Sequence, residues 1–224
     1  MSDPCLLKMS DKIGRFHVLT DARLQSRFSH VQLAKMAIAG GADTIQFRDK
    51  NGSTREMIEI AKQMKQTCAD RGVAFIVNDR IDVAIAAQAD GVHLGQNDFP
   101  IPLARKLLGR DRMIGGSAAT LKEARQCLED GADYVGFGPV FPTGSKDDAG
   151  PVSGVETLQE VVEAIPLPII AIGGIAPENT SGVMHAGAHG IAVISAVCCQ
   201  DDPRLAAKGL WDIVQAAIPG GRHA

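Results

Sequence analysis

The run Gln46-Phe47-Arg48-Asp49-Lys50 places an amide and two cations at alternate positions near the end of a short apolar stretch. If that stretch is a strand, Gln46, Arg48 and Lys50 share one face and Phe47 takes the other. Two cations turned inward require an anion, because buried unpaired charge is costly. Either a bound phosphate or diphosphate supplies it, or acidic residues across the fold do. Two further apolar runs end in Asn78-Asp79 and Gly95-Gln96-Asn97-Asp98. Asp79 and Asp98 on neighbouring loops would offer two hard oxygen ligands, suited to a Mg²⁺ that bridges carboxylates and a diphosphate. Taken singly, each could instead cap the helix that follows it.

The stretch 139–154 is long, polar and glycine-rich, and carries Thr143, Ser145 and Lys146. Loops of this length in compact domains are often lids or binding loops, and Lys146 could fold over an anion. Further along, Ile172-Gly173-Gly174-Ile175 precedes Pro177, and Val193-Ile194-Ser195-Ala196 ends the last apolar run. Glycines and small residues where a strand gives way to a helix point backbone N–H groups at a phosphate. The histidines form no constellation: His93 reads as a hydrogen-bonded core residue, and His17, His30, His185, His189 and His223 are scattered. The candidate site is rich in anion binders and poor in acid–base groups.

Bringing these residues to one place demands a scaffold that gathers strand ends. Strands are predicted at Phe16–Thr20, Thr44–Arg48, Phe75–Asn78, Gly91–Leu94, Met113–Gly116, Tyr134–Gly138, Ile169–Ile172 and Ile191–Ser195. Helical periodicity fills 30–39, 54–69, 80–88, 101–108, 120–129, 154–164, 177–186 and 203–217. Eight βα alternations point to a single (β/α)8 TIM barrel, in which chemistry sits at the C-terminal strand ends. A repeat supports it: Gly41-Ala42-Asp43, Ala89-Asp90-Gly91, Gly131-Ala132-Asp133 and Gly187-Ala188-His189 each follow a helix and precede a strand. An open doubly wound sheet is disfavoured, because the first strand ends Leu19-Thr20-Asp21 without a glycine-rich phosphate loop. One domain is expected over 1–224, with 1–14 as an N-terminal extension and 219–224 as a tail.

With 45% hydrophobic and 22% charged residues the chain reads as an ordinary globular protein, and its net charge of −3 gives no reason to expect nucleic acid or a membrane as partner. No segment approaches the roughly 20 apolar residues of a membrane span. The five cysteines, without C-x-x-C spacing, fit reduced thiols in the cytoplasm better than disulfides or a zinc site. The adjacent Cys198 and Cys199 read as apolar fillers rather than a redox pair. Small phosphorylated molecules are the expected partners, and a homo-oligomer is left open.

Together, Gln46-Phe47-Arg48-Asp49-Lys50, Asn78-Asp79-Arg80, Asp90-Gly91-Val92-His93-Leu94-Gly95-Gln96-Asn97-Asp98, Gly138-Pro139-Val140-Phe141-Pro142-Thr143 with Lys146, and Ala171-Ile172-Gly173-Gly174-Ile175 resemble the thiamin phosphate synthase family, in order, from about Phe16 to Ala196. The resemblance implies a transferase that couples an aminopyrimidine methyl diphosphate to a thiazole phosphate and releases pyrophosphate, with Mg²⁺ required. It implies that Gln46, Arg48, Lys50, Asn78 and Lys146 hold the pyrimidine diphosphate, and that Asp79 and Asp98 hold Mg²⁺. Ser117 would contact the substrate at the pyrimidine end, and Thr143, Ser145, Gly174, Ile194 and Ser195 would receive the thiazole phosphate. Arg48, Lys50, Lys146 and Ser117 are then the residues expected to act on the reaction itself. Thiazole tautomerase shares the fold but uses a histidine after the fifth strand, where this chain has Ala119. A Schiff-base lyase acting through Lys50 or Lys146, and a non-catalytic binder of thiamin phosphates, are alternatives from other classes.

Overall fold

The computed structural model describes residues 12–145 and 150–218. Eight strands form: β1 (Phe16–Thr20), β2 (Thr44–Phe47), β3 (Ala74–Asn78), β4 (Gly91–Leu94), β5 (Met113–Ala118), β6 (Tyr134–Phe137), β7 (Ile169–Ile172) and β8 (Gly190–Val193). They pair in sequence order, all parallel, and β8 pairs with β1 to close the barrel. The helices between and after them are α1 (His30–Ala39), α2 (Thr54–Ala69), α3 (Ile81–Ala86), α4 (Ile101–Leu108), α5 (Leu121–Glu129), α6 (Gly154–Ala164), α7 (Pro177–His185), α8 (Ser195–Cys198) and α9 (Pro203–Ala216).

Strand alternation creates two apolar compartments. Ile45, Phe47, Phe75, Val77, Val92, Ile114, Val135, Phe137 and Ile191 turn outward into one cluster with the helices. Leu19, Ile76, Met113, Tyr134, Ile170 and Ala192 turn inward and fill the barrel. Burial on both faces explains why the strands read as apolar runs rather than alternating patterns. The helices meet the barrel through stripes such as Met57, Ala61, Met64 and Cys68 of α2. Capping boxes at Ser29/Gln32 and Ser53/Glu56 fix where α1 and α2 begin.

The internal repeat stitches the N-terminal end of the barrel. Asp43 accepts hydrogen bonds from the backbone N–H groups of Arg15 and Phe16 (2.8 and 2.9 Å), Asp90 from that of Phe75 (2.9 Å), and Asp133 from that of Ile114 (2.7 Å). Each carboxylate thus satisfies a donor at the start of a neighbouring strand, which would otherwise be lost on burial. At the fourth repeat His189 stands in for the aspartate, its Nε2 lying 3.0 Å from the Ile13 carbonyl. Ile13, within the expected extension, is buried with the interior cluster.

Boundaries differ from the sequence expectation in three places that affect the site, the first being β2, which stops at Phe47 and leaves Arg48 just beyond it. The fifth strand runs on to Ala118, which carries Ser117 within regular strand geometry. The eighth stops at Val193 instead of Ser195, because Ile194 leaves extended geometry (φ −117°, ψ −81°) and Ser195 opens the short helix α8. Cys198 and Cys199 are free thiols that face the Leu19 and Leu24 carbonyls, as fillers would.

Candidate active site

A cavity of about 340 Å³ opens at the C-terminal strand ends. Arg48, Lys50, Asn78, Asp79, Asp98, Ser117, Thr143, Gly174, Ile194 and Ser195 all line it. Ser145 joins them indirectly, with its Oγ 3.1 Å from that of Ser195. Gln46 turns inward but is not among the lining residues; it is 3% exposed, and its Oε1 finds no partner among the described residues. Lys146 and part of the expected lid lie outside the described residues.

On the cationic side, Arg48 sits just beyond β2 and is only 3% exposed. Its guanidinium pairs with Asp21, at the end of β1, whose other oxygen accepts the Arg23 N–H (2.8 Å). A buried pair of this kind fixes direction more than it stabilises the fold, since both ions are desolvated. Lys50, half-exposed at the rim, places Nζ 2.5 Å from Asp79 Oδ2. The two cations therefore meet carboxylates and line the cavity as well.

Asp79 occupies a strained turn. Its φ is +63°, the Arg80 N–H reaches back to the Asn78 carbonyl (2.7 Å), and its own N–H donates to the His93 carbonyl (2.8 Å). A three-residue turn with a left-handed, non-glycine centre costs on the order of 1–3 kcal/mol, and such strain concentrates at functional sites. Here it carries the Asp79 carboxylate to Lys50 and to Asp98, which lies within hydrogen-bonding reach. Burial would push Asp79 up, but hydrogen bonds from Lys50 and Asp98 hold it below the usual carboxylate range. Asp98 is pushed up by burial and by Asp79 beside it. Neither residue caps the helix that follows: Arg80 and Pro100 stand at those N-cap positions, and Asp98 Oδ2 instead accepts the Gly95 N–H at 2.6 Å. Two neighbouring carboxylates held by strained backbone fit a hard divalent cation, which would offset their mutual repulsion.

At the opposite end the chain turns sharply after β7. Gly174 has φ +65°, and a Cβ there would lie 2.6 Å from the Pro142 carbonyl oxygen. Only glycine fits, which brings the loop after β6 against the loop after β7. Asn179 of α7 ties the turn down by donating to the Gly174 carbonyl (2.9 Å). Ser145, Ser195 and this turn make a small polar cup.

Between the two ends lies Ser117, whose Oγ is 2.9 Å from His93 Nε2; His93 Nδ1 is in turn 3.1 Å from the Tyr134 hydroxyl. His93 is thus a hydrogen-bonded core residue, and it also reaches a residue that lines the cavity. Sequence reasoning did not find Asp21, Tyr134, Gln96 (which donates to the Ser117 carbonyl at 2.6 Å) or Glu123 (which accepts the Ala119 N–H at 2.7 Å). Asp21 carried a usable signal, its place at a C-terminal strand end; Tyr134 lies inside a strand and had none.

The family model for thiamine monophosphate synthase matches residues 16–197. The chain belongs to that family. It is 50% identical over 207 residues to the thiamine-phosphate synthase of Methanocella arvoryzae, covering 92% of this chain and 98% of that one. It is also 50% identical over 208 residues to the Salinibacter ruber enzyme of the same name, covering 93% and 90%. Among solved structures, a thiamine phosphate pyrophosphorylase from Pyrococcus furiosus superposes with a TM-score of 0.85 at 41% identity, over 94% of this chain and all of that one.

Proposed function

We propose that this family member is a Mg²⁺-dependent thiamin phosphate synthase, a transferase that joins an aminopyrimidine methyl diphosphate to a thiazole phosphate and releases pyrophosphate. The observation that carries this reading is a single cavity with Arg48, Lys50, Asp79 and Asp98 at one end and the Gly174–Ser195 cup at the other. Two anionic substrates with separate phosphate sites would meet between them, over Ser117.

The chemistry asks the protein mainly to stabilise a leaving group. As the C–O bond to the diphosphate breaks, the electron-rich aminopyrimidine delocalises the positive charge on the methylene carbon. Arg48, aimed by Asp21, and Lys50 bind the diphosphate, with Asn78 between them, and favour the charge it gains. Mg²⁺, held by Asp79 and Asp98, would add charge stabilisation at the same oxygens. The thiazole phosphate sits in the cup formed by Thr143, Ser145, Gly174, Ile194 and Ser195, which sets its nitrogen toward the methylene carbon. That nitrogen already holds a lone pair, so no general base is required. Lys146 completes the diphosphate ligands in this reading.

A tautomerase would need a proton-transfer group where Ala119 lines the wall, and Ala119 offers none. No helix among the described residues is long and apolar enough to cross a membrane, and small phosphorylated metabolites suit a cytoplasmic enzyme. The test is purified protein with both substrates, in Mg²⁺ or in EDTA, reading thiamin phosphate as its oxidised fluorescent product. Mg²⁺-dependent product is expected; none under either condition, from folded protein, overturns the reading.

A further inference from the structure

Tyr134 is 1% exposed and stands inside the barrel, its ring centroid 5.6 Å from that of His17 and 5.5 Å from that of His93. Its hydroxyl has one hydrogen-bond partner among the described residues, Nδ1 of His93 at 3.1 Å. Burial pushes the phenol's proton affinity up, so the proton stays on oxygen. A buried O–H with one neighbour directs its proton there, because any other orientation leaves a buried donor unsatisfied. A neutral imidazole that accepts at Nδ1 carries its own proton on Nε2. That N–H faces Ser117 Oγ at 2.9 Å. The serine oxygen then accepts from behind, and its proton is left to point into the cavity that Ser117 lines.

The surrounding strands are shaped for this ring. Gly115 of β5 pairs in register with His93, and a Cβ there would lie 2.5 Å from His93 Nδ1 and from the Tyr134 hydroxyl oxygen. Gly136 of β6 pairs with Ser117, and a Cβ there would lie 2.8 Å from His93 Cε1. Two positions without side chains, on adjacent strands, leave a slot that the imidazole spans from phenol to serine.

We propose that Tyr134 and His93 are positioning residues that form a one-way donor chain, Tyr134 to His93 to Ser117, committing the Ser117 hydroxyl to donate to an oxygen of the departing diphosphate. Successive hydrogen bonds polarise one another, so the terminal O–H is a better donor than an isolated serine. It acts where negative charge develops, which is where a preorganised donor accelerates the reaction. The inference rests on the synthase reading.

The experiment is a mutant cycle on the full chain, with kcat and KM for both substrates and a thermal melt for every variant. Ser117→Ala removes the terminal donor and is expected to lower kcat about 100-fold. Tyr134→Phe removes one hydroxyl, remote from the cavity, and is expected to lower kcat roughly 10-fold with KM held within about two-fold, since only the orientation and polarisation of the serine change. His93→Gln puts an amide N–H near the place of Nε2 and should keep more activity than His93→Leu. In the Ser117→Ala background, Tyr134→Phe and His93→Leu should cost nothing further, because the chain no longer has an end. The same factors lost in that background as in wild type would mean that both residues merely pack, and would overturn the proposal. So would wild-type kcat for Tyr134→Phe. Should Tyr134→Phe melt below the assay temperature, the comparison of His93→Gln with His93→Leu in the two serine backgrounds decides alone. Wild-type protein without turnover removes the synthase reading and this one together; wild-type turnover with a failed cycle removes only this one.

Discussion

Asp98→Asn is expected to make the metal-free protein more stable and at the same time to remove its response to Mg²⁺. Asp98 touches Asp79, and burial together with that neighbour pushes its carboxyl up. Two like charges about 4 Å apart repel by roughly 4 kcal/mol at an effective dielectric of about 20. Lys50 on Asp79 and solvent screening at the open cavity mouth reduce this to about 1 kcal/mol. Asparagine keeps the shape, can still accept the Gly95 N–H, and can turn its amide toward Asp79. Losing about 1 kcal/mol of repulsion raises Tm by roughly 2–4 °C for a chain of this size. A cation present at a hundred times its Kd stabilises the native state by about 2.7 kcal/mol, so wild type should melt several degrees higher in Mg²⁺ than in EDTA, while the variant should not. Turnover in Mg²⁺ should fall about 100- to 1000-fold. Differential scanning calorimetry in both buffers reads the result. A variant that melts below wild type in EDTA would refute the repulsion, and an equal Mg²⁺ shift in both proteins would refute the metal assignment.

Arg48→Ala and Lys50→Ala should each cut turnover by at least about 100-fold, and their stabilities should part. Arg48→Ala leaves Asp21 buried and unpaired, a loss of about 3–5 kcal/mol in denaturant melts, whereas Lys50→Ala at the rim should stay within about 1 kcal/mol of wild type; equal losses would contradict the buried pairing. Gly174→Ala forces a Cβ against the Pro142 carbonyl at φ +65°, and should raise KM for the thiazole phosphate at least about 10-fold while leaving pyrophosphate binding unchanged. Inorganic pyrophosphate, by isothermal calorimetry, should bind about 100-fold more weakly in EDTA than in Mg²⁺; equal affinities would show that the protein's own cations suffice. Burial lowers His17 from 6.5 to about 4. The unfolded chain then takes up a proton that the folded one refuses, so stability falls by up to about 3 kcal/mol as pH drops from about 6.5 towards 4. Burial also lowers His30 and His189, in the same direction; denaturant midpoints that stay flat over that range would contradict it.

The barrel was legible because its cause is repetitive. Eight strands buried on both faces must be short apolar runs, and glycine or small residues must end each helix, so period and punctuation carry the topology. Ends were harder to place. Ile194 and Ser195 continue the apolar run of β8, and nothing local marks the turn into α8; it arises where the chain must leave the barrel mouth. Most of the candidate residues that bear charge or follow glycines do meet at one cavity, and they could be picked out because such residues at strand ends have few structural uses. Asp21 could have been picked out on the same ground, though its pairing with Arg48, 27 residues away, could not; Tyr134 could not, because its role depends on a partner 41 residues away and a single sequence does not show which inward positions share a layer.

Asp21 changes the charge balance of the site as well as its geometry. Read from the motif, Arg48 and Lys50 make a cationic mouth ready for a diphosphate. In the folded protein these two cations face three carboxylates, Asp21, Asp79 and Asp98. Among the described residues the diphosphate end therefore has no surplus of positive charge, and a diphosphate entering alone would meet repulsion from Asp79 and Asp98. In the proposed reading, a divalent cation held by those two carboxylates would reverse the sign and free Lys50 from Asp79 to reach a phosphate oxygen. Arg48 does not need freeing: Asp21 engages one edge of the guanidinium and leaves other N–H groups for the substrate. On the proposed function the acidic residues would divide the work, with Asp21 aiming a permanent cation and the strained pair Asp79–Asp98 making diphosphate binding conditional on Mg²⁺.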